Sequence, residues 1–236
     1  MKKLFALLPL ILALSVAFAQ DFSGALRTEY KDENGRQNNT EVFIKGNKYY
    51  IRKVSGGAKY SAYILDITNH SLTCLNDQGS KTAVIFDIDK VLPLYEKNNY
   101  LPGYKVHYSQ AYHTTGVTEK IGEQTAAIKK AIADSLSYEI KTADLKINMQ
   151  RLIPVLRLAG FWDSAEDGNN AILKGKVTNR KTSKSSSLAM TPVKMEPDTR
   201  LFDVPKDYQV VDINKFMADQ ANNAKMADFV RGFVGI

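Results

Sequence analysis

The sequence predicts a mainly β (α+β) protein: one strand-rich domain over residues 20–213 and a C-terminal helix over 214–236. Three observations carry this. Between residues 22 and 88, runs of five to nine residues carry apolar side chains at period two. Turn residues, Asn34-Gly35 and Gly46-Asn47 among them, separate the runs. Clear helical periodicity is confined to the tail, where Phe216, Met217, Ala221, Ala224 and Phe229 form a stripe beside Val230 and Phe233.

The strand domain is preceded by MKKLFALLPLILALSVAFA, residues 1–19. Lys2 and Lys3 form a basic start, Leu4 to Val16 an apolar run, and Ala17-Phe18-Ala19 a small-x-small cleavage site, so a signal peptide cut before Gln20 is expected. The apolar run is about 15 residues, short of the roughly 20 that span a bilayer. Gln20 stands where a lipid-anchored protein would need cysteine. The expected mature protein is therefore periplasmic or secreted, with no transmembrane segment.

The chain of 236 residues carries a net charge of +7; loss of Lys2 and Lys3 leaves 30 basic against 25 acidic residues, or +5. The lysines are interspersed with acids, a solvated surface rather than the dense basic face of a nucleic-acid protein. The one cysteine, Cys74, cannot form an internal disulfide, so a packed core must hold the mature chain, and its length suffices for one. Cys74 lies in the strand-like SLTCLN and reads as a small buried residue.

FSGALRTEY, from residue 22, places Phe22, Gly24, Leu26, Thr28 and Tyr30 on one strand face. TEVFIKGNKYYIRKV reads as two strands about Gly46-Asn47. SAYILDI and SLTCLN follow, joined by Thr68-Asn69-His70, and KTAVIFDI is a sixth. Tyr63-Ile64-Leu65 and Val84-Ile85-Phe86 are apolar on both faces, which implies either two-sided burial in a plain core or a second face covered by a curled wall or a ligand.

DKVLPLYEKNNYLPG, residues 89–103, breaks the pattern with two prolines among Leu92, Leu94, Tyr95 and Leu101. An apolar loop of this length reads as a cover over a core opening or as edge packing. In YKVHYSQAYH, Tyr104, Val106, Tyr108 and Tyr112 share a face. His107 and His113 share the other but stand about 20 Å apart along a strand, too far for one metal ion. TAAIKKAIADS fits helix by composition and strand by its spacing of Ile128 and Ile132. LSYEIKTADLKI is strand-like, and INMQRLIPVLRLAGFW gives one short helix interrupted near Pro154. AILKGKVTNR and SLAMTPVKME form a last strand pair across KTSKSSS, and LFDVPKDYQVVD is irregular.

Several of these pieces resemble the DUF4412 family of exported bacterial proteins. They are FSGALRTEY, IKGNKYYIR, YILDITNHSL, TEKIGEQTAAIKK before YEIKTADLKI, and a close in Leu201, Phe202, Val204, Pro205 and Tyr208. The resemblance covers residues 22–212; where the family carries Ile-x-Gly-x-x-Cys, this chain has Ile121-Gly122 and no cysteine. It implies a lipoprotein-carrier-like (LolA/LolB-like) fold: a curved antiparallel sheet, or half-open barrel, covering short helical segments, with TAAIKKAI as a strand. Related carriers hold acyl chains or hydrophobic segments on the concave face. No functional residues carry over.

No nucleophile elbow, phosphate loop or zinc-helix motif is present. Asp87 and Asp89 share a strand face about 7 Å apart, the nearest approach to paired acids, but strand ends commonly carry Asp. The expected protein is non-enzymatic, without cofactor or metal. It binds a lipid or other hydrophobic ligand in the sheet's concavity through Leu92, Leu94, Tyr95, Leu101, Tyr104, Val106, Tyr108 and Tyr112. The alternative is a cell-envelope structural or interaction protein without a cavity, meeting an envelope partner through residues 214–236.

Overall fold

The computed structural model describes residues 22–54, 62–77, 81–90, 112–158 and 167–213. The expected signal peptide and C-terminal helix lie outside them. Twelve strands form one sheet: β1 (Gly24–Lys31), β2 (Gln37–Lys45), β3 (Lys48–Lys53), β4 (Ala62–Asp66), β5 (Ser71–Asn76), β6 (Thr82–Asp87), β7 (His113–Ile121), β8 (Gln124–Ala133), β9 (Leu136–Ala143), β10 (Ala171–Asn179), β11 (Ser185–Lys194) and β12 (Gln209–Asp212). Their order is β12-β6-β5-β4-β3-β2-β1-β11-β10-β9-β8-β7. The ends β12 and β7 do not meet, so the sheet is open.

Ten of the eleven neighbour pairs are antiparallel; tight turns that require this direction join β2 to β3, β7 to β8 and β8 to β9. The eleventh, β12 beside β6, is parallel, which makes the sheet mixed rather than purely antiparallel. The parallel pair arises because the chain returns from β11 across the outer face, through a 3-10 turn at Thr199–Phe202, before reaching the edge.

Alternation decides which face is buried. Leu26, Thr28 and Tyr30 of β1 point inward and Arg27, Glu29 and Lys31 outward. The inner face continues through Val42 and Ile44, Tyr49 and Ile51, Tyr63 and Leu65, Leu72 and Cys74, and Val84 and Phe86, then on the other side through Leu188 and Met190, Val177, and Tyr138 and Ile140. Both wings belong to one core with the helix α1 (Met149–Leu158), so the sheet curves around that helix as an open half-barrel. Two irregularities support the curvature. A bulge between Ile172 and Lys174 turns Ala171, Ile172 and Leu173 all into the core. Another, between Thr114 and Thr118, contains Gly116 at φ +75°. Gly24 meets a different demand: a Cβ there would lie 2.4 Å from the Val193 carbonyl oxygen, so only glycine lets β1 and β11 come this close.

α1 runs through Pro154 instead of stopping at it. Proline removes the N–H that would bond the Gln150 carbonyl, at a cost of about 3 kcal/mol. Leu152 and Ile153 before it, and Val155 and Leu156 after it, are all buried; each contributes roughly 1.5–3 kcal/mol on removal from water, which outweighs the defect.

The doubly apolar strands have their explanation on the outer face. Tyr63 and Leu65 enter the main core, while Ile64 joins Ala62, Leu75 and Ala83 in a second cluster. Val204, Tyr208 and Tyr50 pack over it. Its cover is thus the chain's own 201–208 segment rather than a ligand. Asp207 secures this segment to Lys81 at 2.5 Å, and Lys81 also sits 5.8 Å from the Tyr208 ring.

The strand expected at 104–113 falls mostly outside the described residues. The observed strand β7 begins at His113 and runs through TTGVTEKI, a stretch whose lack of apolar alternation hides it in the sequence. TAAIKKAI is the strand β8, as the resemblance implies. The irregular LFDVPKDYQVVD supplies the 3-10 turn and β12.

Candidate functional site

Of the eight residues expected to bind a ligand, Tyr112 is described; Leu92, Leu94, Tyr95, Leu101, Tyr104, Val106 and Tyr108 lie outside the described residues. Tyr112 lands on the inner face. His113 pairs with Lys130, so Tyr112 lies beside Ala131, and Ala131 in turn pairs with Tyr138 of β9. The small alanine leaves a gap over which the two tyrosine rings meet edge to face, centroids 6.4 Å apart at 86°. Such a pair contributes about 0.5–1.5 kcal/mol beyond its buried area.

The next row along the same face is Thr114, Lys129 and Ile140. A lysine opposite a fully buried isoleucine is unusual on an apolar face, and it is held by a carboxylate. Lys129 Nζ lies 2.6 Å from Asp167 Oδ2, with side chains 18% and 13% exposed. Asn170 Nδ2 donates to the same oxygen at 3.1 Å, and its backbone N–H to the Asp167 carbonyl at 3.0 Å. The rim beside this row is open: Thr114 is exposed, as is Val117 in the bulge. Sequence reading misses Lys129 because KK at 129–130 looks like a solvated pair; only the register assigns Lys129 inward and Lys130 outward to Glu139.

α1 is fixed to the opposite wing. Asn148 caps it, its Oδ1 accepting from the Arg151 backbone N–H at 3.2 Å. Asn148's own N–H donates to the Tyr49 hydroxyl at 3.2 Å. In the last turn Arg157 is 5% exposed, its positive charge at the end of the helix where carbonyls point outward.

The acid pair Asp87 and Asp89 is engaged in ion pairs. Asp89 bonds Arg151 of α1 through one oxygen and His70 Nδ1, at 2.6 Å, through the other. The Arg151 hydrogen bond, with a smaller contribution from His70, holds the Asp89 carboxyl below its usual range. Asp87 accepts the Asp89 backbone N–H at 3.0 Å and lies 3.3 Å from Lys90. This junction joins the β4–β5 turn, the end of β6 and the start of α1. Among the described residues no group of three or more His, Cys, Asp or Glu side chains is placed to hold a metal ion, and no helix is long and apolar enough to cross a membrane. Burial pushes the Cys74 thiol well up, which leaves little thiolate for reaction.

No family model matches the chain, so the DUF4412 resemblance rests on its motifs, and no curated protein matches it either. Among solved structures, the chain is similar to an uncharacterized conserved protein from Thermus thermophilus, at 11% identity over 81% of this chain and 91% of that one, TM-score 0.45. It is also similar to PNGF-II, at 13% identity over 80% of this chain, TM-score 0.40. The chain spans 30% of the PNGF-II chain's length. A weaker structural neighbour is a domain described as an outer membrane lipoprotein-sorting protein from Vibrio parahaemolyticus, at 9% identity over 75% of this chain and 87% of that one, TM-score 0.22. At these scores none of the likenesses bears on function.

Proposed function

We propose that this is an exported, non-enzymatic protein that holds a lipid or other hydrophobic ligand against the inner face of its sheet. The observation that carries the reading is the contact of Tyr112 with Tyr138. The one described member of the expected ligand-binding set arrives on the inner face, on a row lined by an aromatic pair and an alanine. The size of α1 also supports it. Ten residues make a helix about 15 Å long, whereas twelve strands span roughly 50 Å along the sheet. Among the described residues, α1 is shorter than the inner face it packs on, which is apolar in both wings. Export is part of the same proposal and rests on residues 1–19.

A second reading, a cell-envelope interaction protein without a cavity, is favoured by the depth at which Leu26, Ile51, Leu65 and Ile140 are buried in the shared core. Delipidation followed by titration with fatty acids and phospholipids separates the two. A ligand-binding protein gains mass in native mass spectrometry and melts at a higher temperature. Unchanged mass and melting with every lipid class would leave the interaction reading.

A further inference from the structure

We propose that Asn34 is a site of self-modification: the Gly35 amide nitrogen closes on the Asn34 side-chain carbonyl to form a succinimide, and Lys184 polarises that carbonyl. Asp32, Glu33, Asn34 and Gly35 form the turn between β1 and β2, closed by the Gly35 N–H donating to the Asp32 carbonyl at 3.0 Å. Residues 33–37 are exposed, so water reaches the turn. Asn34 is the one asparagine of the chain followed by glycine. Elsewhere the next residue carries a Cβ that crowds the attacking nitrogen, as Met149 does after Asn148 and Arg180 after Asn179. The φ of +84° is what demands glycine at position 35. The space beside it is open: a Cβ there would meet nothing nearer than Lys31 Cε at 3.7 Å. The fold supplies the other partner. Pairing of Lys31 with Ser187 brings the end of β1 beside the turn that precedes β11. From that turn Lys184 Nζ donates to Asn34 Oδ1 at 3.3 Å.

The reaction begins when the Gly35 nitrogen gives its proton to hydroxide. The nitrogen bonds to Asn34 Cγ and the carbonyl pair moves onto Oδ1, where the Lys184 ammonium stabilises the developing charge. Return of that pair breaks the Cγ–Nδ2 bond, and Nδ2 leaves as ammonia with a proton from water. Water then opens the ring at either carbonyl and leaves an aspartate or an isoaspartate at position 34. The sum is ammonia lost and water gained, with no change of oxidation state. The bond from Gly35 to Asp32 must open first, but it is a single bond at an exposed hairpin end, where opening costs least. The Lys184 contact is made to the Asn34 side chain and does not depend on that bond. The isoaspartate form adds a methylene to the main chain of a turn whose Asn34 and Arg36 N–H groups both donate to Asp32 Oδ1. It therefore loosens the β1–β2 connection.

The test incubates the whole protein in warm, mildly alkaline buffer and maps it by mass spectrometry after trypsin, which releases residues 32–36 as a peptide with Asn34 as its one asparagine. In the wild type this peptide is expected to gain about 1 Da, an amide exchanged for an acid, ahead of every other asparagine-bearing peptide. It should also split into aspartate and isoaspartate forms on chromatography. Asn34→Gln, whose longer side chain would have to close a larger ring, should show no gain there. Lys184→Met should slow the gain roughly twofold to fivefold in the folded protein, the range of an exposed charged contact. In the chain unfolded with guanidinium chloride the same substitution should change nothing. Far-ultraviolet circular dichroism establishes that both variants are folded. Equal rates for the folded wild type and Lys184→Met would overturn the part given to Lys184. A peptide that stays unmodified while other asparagines react would overturn the site itself.

Discussion

The Tyr49 hydroxyl accepts the backbone N–H of Asn148 at 3.2 Å, joining the inner face of β3 to the first turn of α1. The same asparagine caps the helix through its side chain. Two modest bonds thus set where the helix sits on the sheet. Asn148→Ala is expected to lower stability by about 1 kcal/mol through loss of the cap, and Tyr49→Phe by about 1 kcal/mol through loss of an acceptor. Urea unfolding of each variant measures both; no shift in either midpoint would show that packing alone places the helix.

Pro154 imposes a cost that the fold overcomes by burial. Pro154→Ala restores a donor for the Gln150 carbonyl and should raise stability by about 1–3 kcal/mol. Thermal unfolding reads this directly. A lower melting temperature would mean that the proline ring contributes more by packing than it loses in hydrogen bonding.

The outer cluster is closed by the chain itself. Ile64→Ala beneath Val204 and Tyr208 is expected to cost about 2–5 kcal/mol. Tyr208→Ala should expose the same patch and increase binding of a hydrophobic dye in the folded state. If neither change affects stability or dye binding, the 201–208 segment is not held there by that cluster.

Acid titration has a defined sign at two carboxylates. The Arg200 hydrogen bond holds Asp198 down to about 2, against an ordinary 3.8. A carboxylate depressed in the folded state stabilises above its unfolded value. That contribution is therefore complete above 3.8 and lost as pH falls through about 2. Asp89 shifts in the same direction, chiefly through Arg151, so Arg151→Met should return it towards 3.8. Carboxyl carbon shifts followed by NMR from about pH 5 downward measure both; a midpoint for Asp89 that ignores the substitution would contradict the ion pair.

The strands were legible where one face is buried and the other wet. FSGALRTEY alternates because Leu26, Thr28 and Tyr30 meet the core while Arg27 and Glu29 meet water, and the hairpin at Gly46-Asn47 shows in its turn residues. β7 was not legible: at an open edge with both faces largely exposed, HTTGVTEKI has no buried side to impose a period. The helix through Pro154 reads as interrupted because local chemistry argues for a break, and only the tertiary burial of Leu152, Ile153, Val155 and Leu156 overrides it. The parallel pairing of β12 is a long-range outcome that no local pattern encodes. At the candidate site, Tyr112 was readable as an apolar face residue. Lys129 was not, since its inward direction depends on its register opposite Ile140.

Photolabelling tests the central claim most directly: that an apolar chain lies on the inner face. Delipidated protein is equilibrated with a diazirine-bearing acyl amphiphile, irradiated, digested and mapped by mass spectrometry. The account predicts labels on inner-face residues at the β7–β9 end, with the half-buried Tyr112 among them, and competition by unlabelled lipid. Labels confined to outer-face residues such as Lys130, Glu139 and Lys176, or labelling that unlabelled lipid does not diminish, would contradict it.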